Sequence, residues 1–155
     1  MKSPIIYWYR QDLRAYDLPG LTAALATGHP IIACYILDEE SPGEWTPGAA
    51  SRWWLQHSLA ALSSEISKLG GQLVLRRGDA LSALRELVRQ TGAQTIYCTR
   101  QYEPWAAALE HSLHEALGAQ EVVFRRYAGA LLFEPGQVMN KSGQPFKVFT
   151  PFWRN

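Results

Sequence analysis

The sequence predicts an α/β protein, a Rossmann-like three-layer sandwich whose five-stranded parallel sheet carries helices on both faces. Three observations predict it. Short apolar runs alternate with helically periodic segments almost from end to end. Several of those runs are continuously apolar instead of alternating, as strands covered on both faces are. The links between successive runs carry a helix, which is the crossover that parallel strands need.

Pro4 to Tyr9 is the first strand, and Asp17 is read as the N-cap of the next helix, with Pro19 in its first turn. Ile31 to Leu37 is the second apolar run, and a loop rich in Pro, Gly and acidic residues covers Asp38 to Gly48. Leu55, Leu59, Leu62, Ile66 and Leu69 then recur at helical spacing until Gly70-Gly71 ends the helix. Leu73 to Leu75 is a strand. Asp79 caps a helix with the apolar face Leu81, Leu84, Leu87 and Val88, stopped by Gly92. Thr95 to Cys98 is the fourth strand, Pro104 opens a helix carrying Trp105, Leu109, Leu113 and Leu117, and Val122 to Phe124 is the fifth strand. Beyond it periodicity fails, and Ser142-Gly143 reads as a tight turn, in a small hairpin.

The 155 residues suffice for one domain with a real core and not for two. Hydrophobic residues at 47% and charged residues at 19% exclude the disordered class. A formal net charge of +1 gives no electrostatic case for nucleic-acid binding by this chain alone. Cys34 and Cys98 each sit in an apolar run, read either as two buried thiols or as a disulfide pair, and no Cys/His spacing suggests zinc. The six-residue apolar stretch near the start is too short for a signal peptide or a membrane span, so the expected location is the cytoplasm.

In a sheet of this kind ligands bind beyond the carboxyl ends of the strands. Three loops there carry suitable chemistry. Arg10-Gln11-Asp12-Leu13-Arg14 follows the first strand and offers guanidinium and carboxylate groups to a planar, anionic ligand, or else salt bridges that secure the turn. Ser51-Arg52-Trp53-Trp54 opens the long helix, its tryptophans serving either as ring platforms or as core and interface residues. Thr99-Arg100-Gln101-Tyr102-Glu103 follows the fourth strand. No strand is followed by a Gly-x-Gly-x-x-Gly or Walker-type loop, so side chains would have to hold any nucleotide. His57-Ser58 point apart on a helix, His111 and His114 are solvated, and no arrangement looks like a centre for making or breaking bonds.

The string Tyr7-Trp8-Tyr9-Arg10-Gln11-Asp12-Leu13-Arg14, with Asp17 after it, resembles the opening of the DNA photolyase and cryptochrome family. So do Ser51-Arg52-Trp53-Trp54-Leu55 with His57-Ser58-Leu59, Arg76-Arg77-Gly78, Tyr102-Glu103-Pro104, and the segment from Lys141 to Trp153. The matches run in order over nearly the whole chain and are most like bacterial class I cyclobutane pyrimidine dimer photolyases. Tyr9 departs from the usual phenylalanine, and Leu18 from the asparagine that commonly follows Asp17.

The resemblance implies the N-terminal antenna domain of such a protein, residues 1–130, followed by the start of an interdomain connection at 131–155. It implies that FAD and DNA belong to a separate helical domain, the expected partner, and that this chain alone does not repair DNA. It implies a second, light-harvesting chromophore here, held in the cleft at the strand ends by Arg10, Asp12, Arg14, Asp38, Arg52, Arg100 and Glu103. Trp105-Ala106 stands where the folate-binding type carries Asn-Glu, so FMN or a deazaflavin is expected over methenyltetrahydrofolate. The alternatives are a cryptochrome photoreceptor and a stand-alone nucleotide-binding or interaction module. The apolar tail, with Phe146, Val148, Phe149, Phe152 and Trp153, leads to the expectation of a further domain and of self-association when that surface is left uncovered.

Overall fold

The computed structural model describes residues 2–154. Five parallel strands, β1 (Ile5–Tyr9), β2 (Ile31–Leu37), β3 (Leu73–Arg77), β4 (Thr95–Thr99) and β5 (Val123–Tyr127), lie in the order β3-β2-β1-β4-β5. The chain builds outward from β1 to β3, then crosses back to place β4 on the other side of β1. That reversal opens a crevice between the loops after β1 and β4.

Helices α1 (Pro19–Ala26) and α2 (Ala49–Lys68) cover one face of the sheet, while α3 (Ala80–Thr91) and α4 (Pro104–Gly118) cover the other. Strand pleating sorts the side chains accordingly. Tyr7 and Tyr97 pack with Leu18, Ala24, Leu62 and Ile66 on the first face. Ile6, Trp8, Ile96 and Cys98 pack with Leu84, Leu87, Leu113 and Leu117 on the second. The predicted three layers are all present.

Trp8 lies opposite Cys34 on one side and Cys98 on the other. Two strand spacings separate the cysteines by about 9.6 Å, too far for a disulfide, and both thiols are free and buried.

Helix ends follow local chemistry. Gly70, at φ +82°, sits just beyond α2, and Gly70 N–H and Gly71 N–H donate back to Ser67 O and Ile66 O at 3.0 Å each. Asp79 accepts from Ser82 N–H at 2.7 Å to cap α3, and Gly92 at φ +69° ends it. The expected cap of α1 is different: Leu18, not Asp17, is the N-cap, and no side chain caps the helix. Asp17 adopts φ +52°, and its carbonyl accepts from Arg14 Nη2 at 2.9 Å. Leu18 is buried and Pro19 supplies the first-turn geometry, so packing and φ restriction start this helix instead of a side-chain hydrogen bond.

Other boundaries also shift. β3 continues through Arg76 and Arg77, which an edge strand tolerates because side chains there reach water. Val122 is buried but precedes β5. Ser142-Gly143 does form a turn, closed by Gly143 N–H to Asn140 O at 2.9 Å, but no strands flank it. A short helix that the sequence analysis did not predict, α5 (Phe149–Trp153), lies in the tail, with Val148, Phe149 and Trp153 exposed. No helix of the described residues is long and apolar enough to cross a membrane.

Candidate functional site

A cavity of about 600 Å³ opens at the carboxyl ends of β1, β2 and β4, within the range of small-molecule sites. Trp8, Tyr35, Trp45 and Trp105 contribute aromatic wall, and Arg10, Gln11, Asp38, Gln101 and Glu103 the polar groups. A neighbouring recess of about 470 Å³ shares Arg10, Gln11 and Tyr35 and adds Arg14 and Trp54. Both lie where strand order reverses.

Arg10 forms the floor. Its side chain is buried, with Nη1 paired to Glu110 and directed at Thr99 O, and its Cζ lies 4.7 Å from the centre of the Trp8 ring. Glu110 is fully buried in α4 and also accepts from Arg126 Nη1 at 2.9 Å and from the Gln101 N–H at 3.1 Å. Asp12 is buried beside this group. It accepts from the Arg10 N–H at 2.9 Å, Tyr7 Oη at 3.1 Å and Thr99 Oγ1 at 2.6 Å. Burial first, and then the Asp12 charge, push the Tyr7 hydroxyl well above the ordinary tyrosine range. Tyr7 therefore serves as a neutral donor.

At the rim, Asp38 accepts from Ser41 Oγ at 2.5 Å, from the N–H groups of Glu40 and Ser41 at 2.9 Å, and from Ala80 N–H at 3.1 Å. Burial alone would raise its pKa, but these hydrogen bonds outweigh it and hold the carboxyl below its usual range. Asp38 thus ties the loop after β2 to the start of α3. Glu103 accepts from Gln11 Nε2 at 3.2 Å and Tyr102 N–H at 3.1 Å. Its pKa is likewise lowered: burial acts upward, and hydrogen bonds from backbone N–H groups and Gln11, with the Arg10 charge, act downward more strongly.

Of the residues singled out in the sequence, the structure brings Arg10, Asp38 and Glu103 to the cavity and Arg14 to the recess. Asp12 is engaged internally. Arg52 donates to Pro47 O at 2.8 Å and pairs with Glu39 at 3.3 Å, outside both hollows. Arg100 pairs with Glu134 at 3.1 Å and also lines neither. Trp53 and Trp54 are exposed, not core: the Trp53 ring lies against His57 at a 59° tilt, 4.4 Å between ring centres, and Trp54 borders the recess. Ser58 donates back to Trp54 O at 2.9 Å, forming no pair with His57.

Sequence reasoning missed Glu110. The buried positions of α4 are Ala106, Glu110, Leu113 and Leu117, so a carboxylate occupies the apolar stripe itself. A charge on that stripe, opposite strand-end arginines, is the signal that points to it. Among the described residues no group of three or more His, Cys, Asp or Glu side chains is placed to hold a metal ion.

Two donors at the cavity are left without a protein partner among the described residues: Trp8 Nε1 and Arg10 Nη2, both buried. The aromatic wall, with the polar groups at its floor and rim, fits a flat ring that bears polar substituents.

The DNA photolyase family model matches residues 5–155. The chain is 46% identical over 152 residues to the deoxyribodipyrimidine photo-lyase of Agrobacterium fabrum, covering 98% of this chain and 31% of that protein. It is 39% identical over 149 residues to cryptochrome-1 of Arabidopsis thaliana, covering 96% and 22%. The crystal structure of a class III photolyase from Agrobacterium tumefaciens superposes with a TM-score of 0.91 at 44% identity, covering 99% of this chain and 31% of that one. The chain therefore spans less than a third of the length of these relatives. The likeness to class I enzymes gains no support from these matches, since the structure matched at 44% identity is of class III.

Proposed function

This chain belongs to the DNA photolyase family, and on that premise we propose that it is the light-harvesting, chromophore-binding α/β domain of a deoxyribodipyrimidine photolyase. Residues 1–130 form the antenna unit in this reading, and 131–155 begin the connection to a helical domain that carries FAD and meets DNA. The observation that carries it is the cavity of about 600 Å³ at the strand ends, aromatic on its walls and charged at its floor and rim. When bound there, a conjugated ring supplies absorption in the near ultraviolet or blue and passes excitation to the partner domain's flavin.

The chain's own residues do the holding. Trp8, Tyr35, Trp45 and Trp105 exclude water and keep a flat ring in place, while Arg10 meets it at the floor, and Asp38, Glu103 and, in the recess, Arg14 meet its polar groups. Asp12 and Arg52 frame the site through Arg10 and Pro47, while Arg100 is engaged away from it by Glu134. FMN or a deazaflavin is the ring we favour over methenyltetrahydrofolate, because Trp105 forms part of the wall. The photochemistry and repair belong to the whole protein, in the cytoplasm, and not to this chain alone. The same domain in a cryptochrome photoreceptor is the second reading, favoured by the 39% identity to a plant cryptochrome. Leu132, Phe149 and Trp153 leave an exposed apolar surface that suits the partner domain and that drives self-association of the isolated chain.

The test is to mix the purified chain with FMN, a deazaflavin and methenyltetrahydrofolate in turn and record the spectrum of the protein-bound fraction. Retention of a flavin or deazaflavin with a shifted, structured band is the expected result. Retention of methenyltetrahydrofolate alone keeps the antenna reading and overturns the ring preference. Retention of none overturns the antenna reading.

A further inference from the structure

We propose that Glu134 is a clamp: it docks the stretch 131–154 on one side of the loop after β4, whose other side is the rim of the cavity. The inference takes from the reading above that this stretch leads to a further domain, and it stands whether or not the cavity takes a ring.

The stretch has little else to hold it. None of residues 131–154 is buried, and their regular structure is a single five-residue helix. Apolar packing, the usual means of fixing a segment, is therefore slight. The Glu134 side chain is only 17% exposed. One of its carboxylate oxygens accepts from Tyr102 Oη and the other from Arg100 Nη1 at 3.1 Å. Among the described residues these are the only hydrogen bonds that join 131–154 to the rest of the chain. The Glu134 N–H donates to Gln137 Oε1 at 2.8 Å and its carbonyl accepts from the Gln137 N–H at 3.0 Å, a local turn that presents the carboxylate.

The loop that receives it has two working sides. Arg100 and Tyr102 hold Glu134 and line neither hollow, while Gln101 and Glu103, alternating with them, line the cavity. The loop backbone is itself fixed: the Arg100 N–H donates to Tyr127 O at 2.9 Å, the Gln101 N–H to Glu110 at 3.1 Å and the Tyr102 N–H to Glu103 at 3.1 Å. Hydrogen bonds to a carboxylate are the strong kind, although 40% exposure of Arg100 weakens its share by screening. The clamp thus fastens to a firm support and sets where the stretch departs from the cavity rim. A tether fixed at its start leaves a following domain fewer placements than a free one of equal length.

The experiment is hydrogen exchange of the full chain without ligand, read by mass spectrometry from millisecond to minute labelling at low protein concentration. In Glu134→Ala the amides of 131–140 are expected to exchange about tenfold faster than in wild type. In Tyr102→Phe, which keeps the ion pair, the factor is expected to be smaller, and β1 and β4 exchange as in wild type in both. An unchanged rate in Glu134→Ala, or wild-type amides of 134–140 already exchanging at the unprotected rate, overturns the inference. So does equal acceleration of the sheet, which would make Glu134 a general stabilising residue. If Glu134→Ala loses cooperative unfolding, Tyr102→Phe decides by the same criteria. Failure to retain any ring overturns the chromophore reading alone, since no ligand enters this measurement.

Discussion

Arg10 and Glu110 stand one hundred positions apart and meet in a buried ion pair, their side chains 5% and 1% exposed. Arg10 directly follows β1, Glu110 lies in α4, and Arg126 of β5 pairs with the second carboxylate oxygen at 2.9 Å. This one carboxylate therefore ties together the end of β1, a helix and an edge strand. Removing it leaves Arg10 charged, desolvated and unpaired. Glu110→Gln is expected to lower stability by about 3–5 kcal/mol, measured by urea unfolding. Arg126→Ala, whose side chain is 39% exposed, is expected to cost only about 1 kcal/mol. Equal effects would mean that burial of the pair is not what makes it matter.

The two cysteines are expected to be inert in the folded protein. Burial pushes both thiols up to about 12, against small lowering effects from Arg76 on Cys34 and Arg10 on Cys98. At mildly alkaline pH almost no thiolate exists to react. Iodoacetamide should leave both unmodified in native protein and label both in denaturant, as read by mass spectrometry. Rapid labelling of the native chain would show that the sheet opens more readily than its packing implies.

Gly20 marks a close approach of α1 to the sheet. A Cβ there meets Tyr127 Cδ2 at 3.0 Å and Tyr7 Cε2 at 3.1 Å. Gly20→Ala is expected to destabilise by about 1–3 kcal/mol through overpacking, despite alanine's better helix propensity. Gly118, at the end of α4, has nothing within 4 Å of an added Cβ. Gly118→Ala is therefore expected to stabilise by about 0.4–1 kcal/mol. Thermal unfolding of the two variants tests the opposite signs.

The wall of the cavity is expected to be acid-sensitive. Asp38 has a folded pKa below the ordinary 3.8, because hydrogen bonds from Ser41, Glu40 and Ala80 outweigh the upward effect of burial. A depressed folded value contributes stability that is present above the unfolded pKa and is lost as pH falls through the folded one. Melting temperature should hold between about pH 5 and 7 and fall below the ordinary carboxylate range. Asp38→Asn should flatten part of that fall. An unchanged slope in the variant would assign the acid sensitivity to other groups.

Much of the architecture was legible because its signals are local. Continuous apolar runs mark strands buried on both faces, Gly70 and Gly92 mark left-handed helix ends, and Asp79 caps α3 from within its own segment. Asp17 misled because a capping residue was assumed where Arg14 takes its carbonyl and the buried Leu18 starts the helix. The motif segments that carried the family resemblance lie within the matched residues 5–155.

By itself the sequence determined the class of fold, the order and approximate ends of its elements, and the strand-end loops from which any site would be drawn. Only the tertiary structure decided which of those loop residues meet. The order β3-β2-β1-β4-β5 sets the end of β1 beside that of β4, so Arg10, Gln11 and Glu103 share one cavity while Arg52 turns to Glu39 and Arg100 to Glu134. Periodicity reports which side of its own element a residue occupies. It carries no information on which distant charge will stand opposite, and that pairing, Arg10 with Glu110 above all, is what fixes the guanidinium at the floor of the cavity.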